Sequence, residues 1–250
     1  MELANYNILG RILYLVPYHS PIHPGRVLTT FAFISAVVEA LNGNGASNSA
    51  NQSLPESRQN IGKALLKAAL LIQLAVVGLF LLLAVTFHRR CLRAGIRNAN
   101  LTSALTTLYC STALLTARTI YRVVEYFSVA DLHLTAGTDP NTLSPIIRYE
   151  WFFYVFEASL MLSNLIMMNV RHPRRYLPKS TKTYLAPDGV TEITGPGYKD
   201  TRPFIITLVD PFDLIGLLAG RDKNTRFWET ATVDEQATAR TAEEKMDPEA

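Results

Sequence analysis

The sequence has few cysteines and few charged residues. Only Cys91 and Cys110 occur in 250 residues, which excludes a disulfide-rich scaffold and any CxxC metal or redox site. Charged residues make up 18% of the chain, against roughly 25% in an average soluble domain. So few ions argue against a single soluble globule, while the 48% hydrophobic content excludes a chain that is disordered throughout.

Motifs for nucleotide binding and nucleophilic catalysis are also missing. The sequence has no GxSxG, no phosphate-binding loop and no dinucleotide fingerprint. Its five histidines fall in predicted loops or at helix ends, so they do not converge as metal ligands: His19, His23, His88, His133 and His172. We therefore predict that the protein is not an enzyme and takes no metal, cofactor, nucleotide or nucleic acid.

What the sequence does contain is four long apolar segments. Each is close to or above the roughly 20 residues that a helix needs to cross a bilayer. They cover about residues 26–44, 64–87, 101–127 and 147–170. Buried helices of a large soluble protein are the alternative, but residues 1–178 contain no amphipathic helix with a charged face to cover them.

These segments predict an all-α, polytopic transmembrane helical bundle. Four spans lie within residues 21–178, and residues 1–20 hold a shorter helix that resembles the last turns of a further span. Residues 179–250 form a C-terminal tail that we expect to be largely disordered. The tail has a net charge of −4, whereas residues 1–178 have a net charge of +7.

Loop charge predicts the orientation of the spans. Residues 88–98 contain four arginines and residues 171–182 contain five basic residues, whereas residues 129–146 contain none. Short loops rich in Lys and Arg stay in the cytoplasm. The spans then run out, in, out, in, with the acidic tail in the cytoplasm, where it has a possible protein partner. Asn51, in an Asn-Gln-Ser triplet of an outside loop, is a predicted glycosylation site.

The charged residues inside the last two predicted spans include a set of five that we interpret together: Arg118, Arg122, Glu125, Glu150 and Glu157. From the rise of a helix, Arg118 and Glu157 lie at matching depths of roughly 14 and 15 Å below the outer surface, and Arg122 matches Glu150. Glu39 approaches that level from the first span. A charge at such depth costs a few kcal/mol and is expected to face a partner or a water-filled cavity.

Two interpretations of this charged set stay open. One is a polar site, open to the outer leaflet, that holds an amphipathic ligand by its head group. The other is a fixed ion-pair network that sets helix register. Neutral polar residues of the spans are interpreted as interhelical hydrogen-bonding groups: Ser35, Asn42, Gln73 and Asn164.

Four blocks of the sequence resemble the fungal lipid-translocating exporter family, the aminocholesterol-resistance or RTA-like membrane proteins. Arg118, Tyr121, Arg122 and Glu125 match its R-x-x-[YF]-R-x-x-E block. Glu150, Tyr154, Phe156 and Glu157 match its E-x-x-x-Y-x-[FL]-[DE] block, and His172-Pro173 match a closing H-P. Tyr6, Gly10, Arg11 and Ile12 resemble the Y-x-x-x-G-R-I at the end of its third helix. The resemblance covers about residues 4–178.

The resemblance implies a multi-pass protein of a seven-helix family in the plasma membrane or an endomembrane, with a cytoplasmic C-terminus. It implies movement or export of amphipathic lipids, such as sphingoid bases or sterol-like compounds, and resistance to them. Ser35 and Asn42 stand where the family often has Asp and Gln, and join the charged set as substrate-binding candidates. Two helices and most of a third have no counterpart, so a truncated gene model or a shortened isoform is expected.

The competing hypothesis is a receptor-like membrane stress sensor without transport activity. Seven spans with an outside amino terminus and an inside tail are the topology of receptors, and an acidic tail suits recruitment of cytoplasmic proteins. A third hypothesis is a non-functional fragment. The sequence does not decide the oligomeric state.

Overall fold

The computed structural model describes residues 2–21, 24–51, 53–96, 98–130, 148–178, 180, 182–186 and 191–194. The chain there is built mainly of five helices: α1 (Glu2–Leu15), α2 (Pro24–Ala50), α3 (Glu56–Arg93), α4 (Ala99–Ala130) and α5 (Trp151–Val170). Short 3-10 helices follow at Pro17–His19 and Pro173–Arg175. Two strands, β1 (Thr183–Leu185) and β2 (Glu192–Thr194), complete the described elements.

Three of the helices are long and apolar enough to cross a membrane: α2, α3 and α5. They correspond to three of the four predicted spans, and an all-α polytopic membrane protein is confirmed. The fourth predicted span, 101–127, lies within the 32-residue helix α4, which is not among those three. Hydroxyl-bearing and charged side chains reduce the hydropathy of α4, so a membrane crossing by α4 stays a prediction.

The helices are longer than the predicted spans at most ends, because polar residues continue each helix beyond its apolar stretch. The clearest case is α3, which begins at Glu56, eight residues before the predicted span, and ends at Arg93. The opposite occurs at α5, which begins at Trp151 rather than 147. Prolines mark several boundaries: Pro17 follows α1, Pro24 opens α2 and Pro55 precedes α3.

The turn between α3 and α4 is specified locally. Gly95 has φ of +76°, a conformation that side chains with a Cβ rarely adopt. Its N–H donates to Leu92 O, and that of Ile96 donates to Cys91 O, which is the Schellman arrangement that ends a helix. Asn98 then caps α4, since its Oδ1 accepts hydrogen bonds from the N–H groups of residues 100 and 101.

Within α5 the backbone departs from α-helical geometry. Residues Tyr154–Ser159 form a π-helical segment, which adds a residue to the turn. The segment contains Glu157, one of the charged residues of the predicted site. Apolar side chains of α5 are largely exposed, as in Tyr154 and Leu162 at 61% and 57%. Such a surface suits contact with lipid tails.

The described residues form two compact units. One contains the described parts of 1–5, 31–85 and 106–173, and the other those of 6–30, 86–105 and 174–250. In the first unit, Ser111 on α4 donates a buried hydrogen bond of 2.9 Å to Asn5 Oδ1, and the rings of Phe31 and Phe80 pack edge to face. These contacts join α1 to α4 and α2 to α3.

The second unit contains a hairpin that the all-α prediction did not include. Strands β1 and β2 pair antiparallel, with Tyr184 opposite Ile193. These two side chains and Ala186 form a buried cluster against Tyr14 and Tyr18. Aromatic and β-branched residues favour strands. The rest of the predicted tail, from residue 195, lies outside the described residues.

Candidate functional site

A polar cavity of about 260 Å³ lies in the first unit, and all five helices contribute to its wall. We call it the inner cavity. Its lining residues are Glu2 and Leu3 of α1, Ala32, Ser35, Ala36 and Glu39 of α2, Gln73 of α3, Leu115 and Arg118 of α4, and Met161 of α5. Two carboxylates and one guanidinium therefore face a space the size of a small head group.

The carboxylate of Glu2 is fixed by neutral partners. Its Oε1 accepts a 2.7 Å hydrogen bond from Gln73 Nε2, and its Oε2 accepts a 3.4 Å bond from Ser35 Oγ. These bonds tie α1 to α2 and α3 at the cavity wall. Hydrogen bonds to a charged acceptor are stronger than neutral ones, so they hold the Glu2 side chain against the cavity wall.

Arg118 pairs across the helix interface with Glu157. Arg118 Nε donates to Glu157 Oε1 at 2.9 Å, and Nη2 donates to the same oxygen. The two side chains are 26% and 17% exposed, which makes this a shielded pair. Matching depth on α4 and α5 predicted that these residues meet, and the structure brings them together.

A second cavity of about 330 Å³ lies beside the C-terminal end of α4. We call it the outer cavity. It is lined by Asn42 and Ala46 of α2, Leu66 and Leu70 of α3, and Arg122, Glu125 and Tyr126 of α4. In contrast to the inner cavity, α1 and α5 do not contribute to this wall.

The wall of the outer cavity rests on a close approach of α2 to α3. Gly45 and Gly62 face each other there, and a Cβ added at Gly45 would lie 2.8 Å from Leu66 Cγ and 3.0 Å from Gly62 O. Small residues let helix backbones approach in this way inside membranes. The Tyr126 hydroxyl adds a 3.2 Å hydrogen bond to Lys63 O, which joins α4 to α3.

Arg122 does not meet Glu150, although their depths were expected to match. Arg122 Nη1 lies 3.7 Å from Glu125 Oε2 on its own helix, with side chains 48% and 28% exposed. Glu150 is exposed and precedes α5, so it no longer shares a helix face with Glu157. The expectation is wrong because it placed Glu150 inside a regular helix that began at 147. Of the charged set, Arg118 lines the inner cavity and Arg122 and Glu125 line the second one, whereas Glu150 and Glu157 line neither.

The other predicted residues are distributed as follows. Ser35 lines the inner cavity and Asn42 the outer one. Gln73 was interpreted as a hydrogen-bonding group between helices. It does join α3 to α1, and its partner there is the carboxylate of Glu2, which lines the inner cavity. Asn51 is exposed just beyond α2, and its Oδ1 accepts hydrogen bonds from the N–H and Oγ of Ser53. Glycosylation of Asn51 stays a prediction.

Sequence reasoning missed Glu2 and Tyr126. Glu2 precedes the apolar stretch of residues 5–16, and a polar residue at that position gave no sign of a cavity role. Tyr126 was hidden in an aromatic stretch at the end of its span. Asn164 is a further surprise: it is fully buried, and neither amide atom has a partner within the described part of the chain.

Taken together, the inner cavity combines an excess of negative charge with an arginine already held by a carboxylate. Such a surface suits a positively charged or hydroxyl-bearing group, since carboxylates accept hydrogen bonds only. The outer cavity balances one arginine and one glutamate. Across the described ranges, no group of three His, Cys, Asp or Glu side chains is placed to hold a metal ion.

Comparisons with known proteins agree on one family. A family model described as RTA1-like protein matches residues 1–180. Lipid-translocating exporter-like protein RTA1 from Leptosphaeria maculans is 42% identical over 228 residues, which are 90% of this chain and 43% of that protein. The protein of the same name from Ajellomyces capsulatus is 30% identical over 244 residues, 92% of this chain and 72% of that protein.

A shorter similarity points the same way. The probable lipid transporter atnI of Emericella nidulans is 40% identical over 70 residues, which are 28% of this chain and 16% of that protein. No solved structure shows a significant match. The chain spans less than half the length of the Leptosphaeria maculans relative.

Proposed function

The chain belongs to the RTA1-like protein family, and from this premise we propose that it moves or exports amphipathic lipids across a fungal membrane. Sphingoid bases and sterol-like compounds are the proposed classes, and resistance to them is the proposed consequence. The observation that carries the proposal is the inner cavity, in which charged groups from several helices meet within the apolar bundle.

The chemistry of the inner cavity supports a lipid that carries an amine. Glu2 and Glu39 lie on its wall, and Arg118 is engaged with Glu157. An ammonium group would find acceptors there, and the exposed apolar side chains of α5 would accommodate the hydrocarbon tail. A phosphate would instead favour the outer cavity, where Arg122 is only loosely paired.

We further propose that the described helices lie in the plasma membrane or an endomembrane with the C-terminus in the cytoplasm. The four arginines of residues 88–98, three of them in the last turns of α3, support this orientation, because short segments rich in Lys and Arg stay inside. Membrane lipids are then the partners, with a cytoplasmic protein as a possible partner of the acidic tail. Movement would follow a gradient, since the sequence has no nucleotide-binding motif.

The proposal is tested by the efflux of a fluorescently labelled sphingoid base from fungal cells that express the full 250-residue chain. We expect efflux and tolerance to fall at least tenfold in Glu157→Gln and in Arg118→Gln at equal protein level in the membrane. Glu56→Gln, which removes an exposed carboxylate at the start of α3, is the matched control and should retain efflux. Unchanged efflux in both the Glu157 and the Arg118 variant would remove this ion pair from the mechanism.

Truncation separates transport from sensing. A chain that ends at residue 220 should keep its efflux if the protein is a transporter. The receptor-like sensor would be supported instead if neither the full chain nor the truncated chain showed measurable efflux and the truncated chain lost the stress response.

A further inference from the structure

The outer cavity holds two opposite charges that are close to each other but not hydrogen-bonded. Arg122 Nη1 lies 3.7 Å from Glu125 Oε2, whereas a hydrogen bond between such groups measures about 2.7–2.9 Å. Both side chains line the cavity, and both are partly exposed. The guanidinium and the carboxylate can therefore each bind a further group of opposite charge.

The same cavity offers a neutral polar group on a second helix. Asn42 of α2 lines it, and an amide side chain can both donate and accept hydrogen bonds. The hydroxyl of Tyr126 is already used, because it donates a 3.2 Å hydrogen bond to Lys63 O and so ties α4 to α3. Among the described lining residues, one cation, one anion and one amide are thus placed to bind a ligand.

The rest of the wall is apolar and closely packed. It consists of Ala46 of α2 and of Leu66 and Leu70 of α3. The backbones behind it touch at Gly45 and Gly62, where an added Cβ would meet backbone atoms at 2.7–3.0 Å. A few polar groups beside an apolar wall are typical of small-molecule sites. A wall fixed in this way also reduces the entropy that is lost when a ligand binds.

The size of the outer cavity suits a head group. Its volume of about 330 Å³ lies near the lower end of the roughly 300–1,000 Å³ of small-molecule sites. A lipid with two hydrocarbon chains would therefore place its head group there and leave its chains among the surrounding apolar side chains and lipid tails.

The two charges restrict which head group fits. An anion that binds Arg122 is repelled by Glu125, and a cation that binds Glu125 is repelled by Arg122, because the two groups are only 3.7 Å apart. A head group with both charges meets an opposite charge at each end. Its cation should carry N–H groups, since a carboxylate only accepts hydrogen bonds. The inner cavity differs, because Glu2 and Glu39 give it an excess of negative charge.

We propose that the outer cavity binds a zwitterionic head group made of a phosphate and a primary ammonium, as in phosphatidylethanolamine. Arg122 binds the phosphate, Glu125 binds the ammonium, and the amide of Asn42 adds a hydrogen bond to the head group. The inference rests on the proposed function for its role in lipid movement, since it names the class of lipid that the second cavity takes.

The first test compares lipids that differ in the head group alone. The purified 250-residue chain, in an uncharged detergent, is mixed with phosphatidylethanolamine, phosphatidylcholine or phosphatidylglycerol of identical chains, and native mass spectrometry measures the bound fraction. Phosphatidylethanolamine should bind about tenfold more tightly than the other two, the order of one hydrogen bond to a charged group. Equal affinity for the three lipids overturns the proposal.

Substitutions then assign each charge to its part of the head group. Arg122→Gln should weaken binding of phosphatidylethanolamine about tenfold, since the phosphate loses its charged partner. Glu125→Gln should abolish the preference for phosphatidylethanolamine over phosphatidylglycerol, because the ammonium loses its acceptor and the repulsion of a lone anion disappears.

Two controls match these substitutions in charge. Arg58→Gln and Glu56→Gln change exposed residues at the start of α3 that line neither cavity, and both should bind lipid as the unmodified chain does. Thermal midpoints are compared for all four variants, and little change is expected because every substituted side chain is at least partly exposed. Equal loss of binding in Arg122→Gln and Arg58→Gln would show a general surface attraction and overturn the site.

Soluble compounds separate recognition of the head group from recognition of the hydrocarbon chains. An excess of phosphoethanolamine should displace bound phosphatidylethanolamine, and the same excess of inorganic phosphate should not. Displacement by inorganic phosphate to the same extent overturns the requirement for two charges. If neither compound displaces the lipid, recognition lies in the chains, and the head-group site is overturned.

These measurements are independent of transport. If phosphatidylethanolamine binds with the expected selectivity and the labelled sphingoid base is not exported, the transport proposal fails and the site stands. If the base is exported while the three phospholipids bind equally, the head-group site fails and the transport proposal stands.

Discussion

Arg118 and Arg122 lie one turn apart on α4, and each lines one of the two cavities. Arg118 reaches across to α5 and is shielded with Glu157, while Arg122 stays beside Glu125 on its own helix and is about half exposed. The first pair holds two helices together and the second does not. Identical side chains on the same helix face thus acquire different roles from the helices that surround them.

The largest expected effect is on the shielded pair. Arg118→Gln leaves the carboxylate of Glu157 shielded without its cation. Exposed pairs contribute about 0–1 kcal/mol, and removal of one partner of a buried pair costs about 3–5 kcal/mol, so this partly buried pair should cost on the order of 2 kcal/mol. The apparent thermal midpoint of the purified chain in detergent measures the effect.

The double variant Arg118→Gln/Glu157→Gln provides the control for this prediction. It should lose less than the sum of the two single variants, because neither charge is left alone. Strict additivity would show that the two residues do not interact in the folded protein.

An intermediate effect is expected where α2 meets α3 at the outer cavity. Gly45→Ala places a Cβ against Leu66 and the Gly62 carbonyl, and crowding of this kind costs about 1–3 kcal/mol. Gly43→Ala is the matched control, because a Cβ there meets no atom within 4 Å. Since Ala is the better helix former, Gly43→Ala should be neutral or slightly stabilising. Equal thermal midpoints for the two variants would contradict the close helix contact.

The smallest effects are expected at Arg122 and Glu150. Arg122→Gln removes an exposed pair within one helix and should change stability by about 0.5 kcal/mol or less. Glu150→Gln should change it less still, because Glu150 is exposed and lies before α5. Should the two substitutions prove strongly coupled in a double-mutant cycle, Arg122 would pair with Glu150 after all, as the depth argument expected.

The sequence predicted where charged residues lie along each helix better than it predicted which side chains of other helices they contact. The meeting of Arg118 with Glu157 followed from antiparallel helices and equal depth, because both residues are far from the helix ends. The same argument failed for Glu150, since it depends on where α5 begins, and Tyr149 and Glu150 gave no clear start signal. Glu2 escaped notice because its role depends entirely on Ser35 and Gln73, 33 and 71 residues away.

The sequence by itself determined that this is a helical membrane protein of the RTA1-like family, because apolar length and a short block of Arg and Glu are local properties. It also determined the end of α3 and the start of α4, where Gly95 and Asn98 act on their own backbone. Only the tertiary structure decided which charges share a cavity, which arginine is shielded, and that one oxygen of Glu157 has no donor among the described residues. Those properties depend on how helices that are far apart in the sequence pack together, which no single segment of the chain determines.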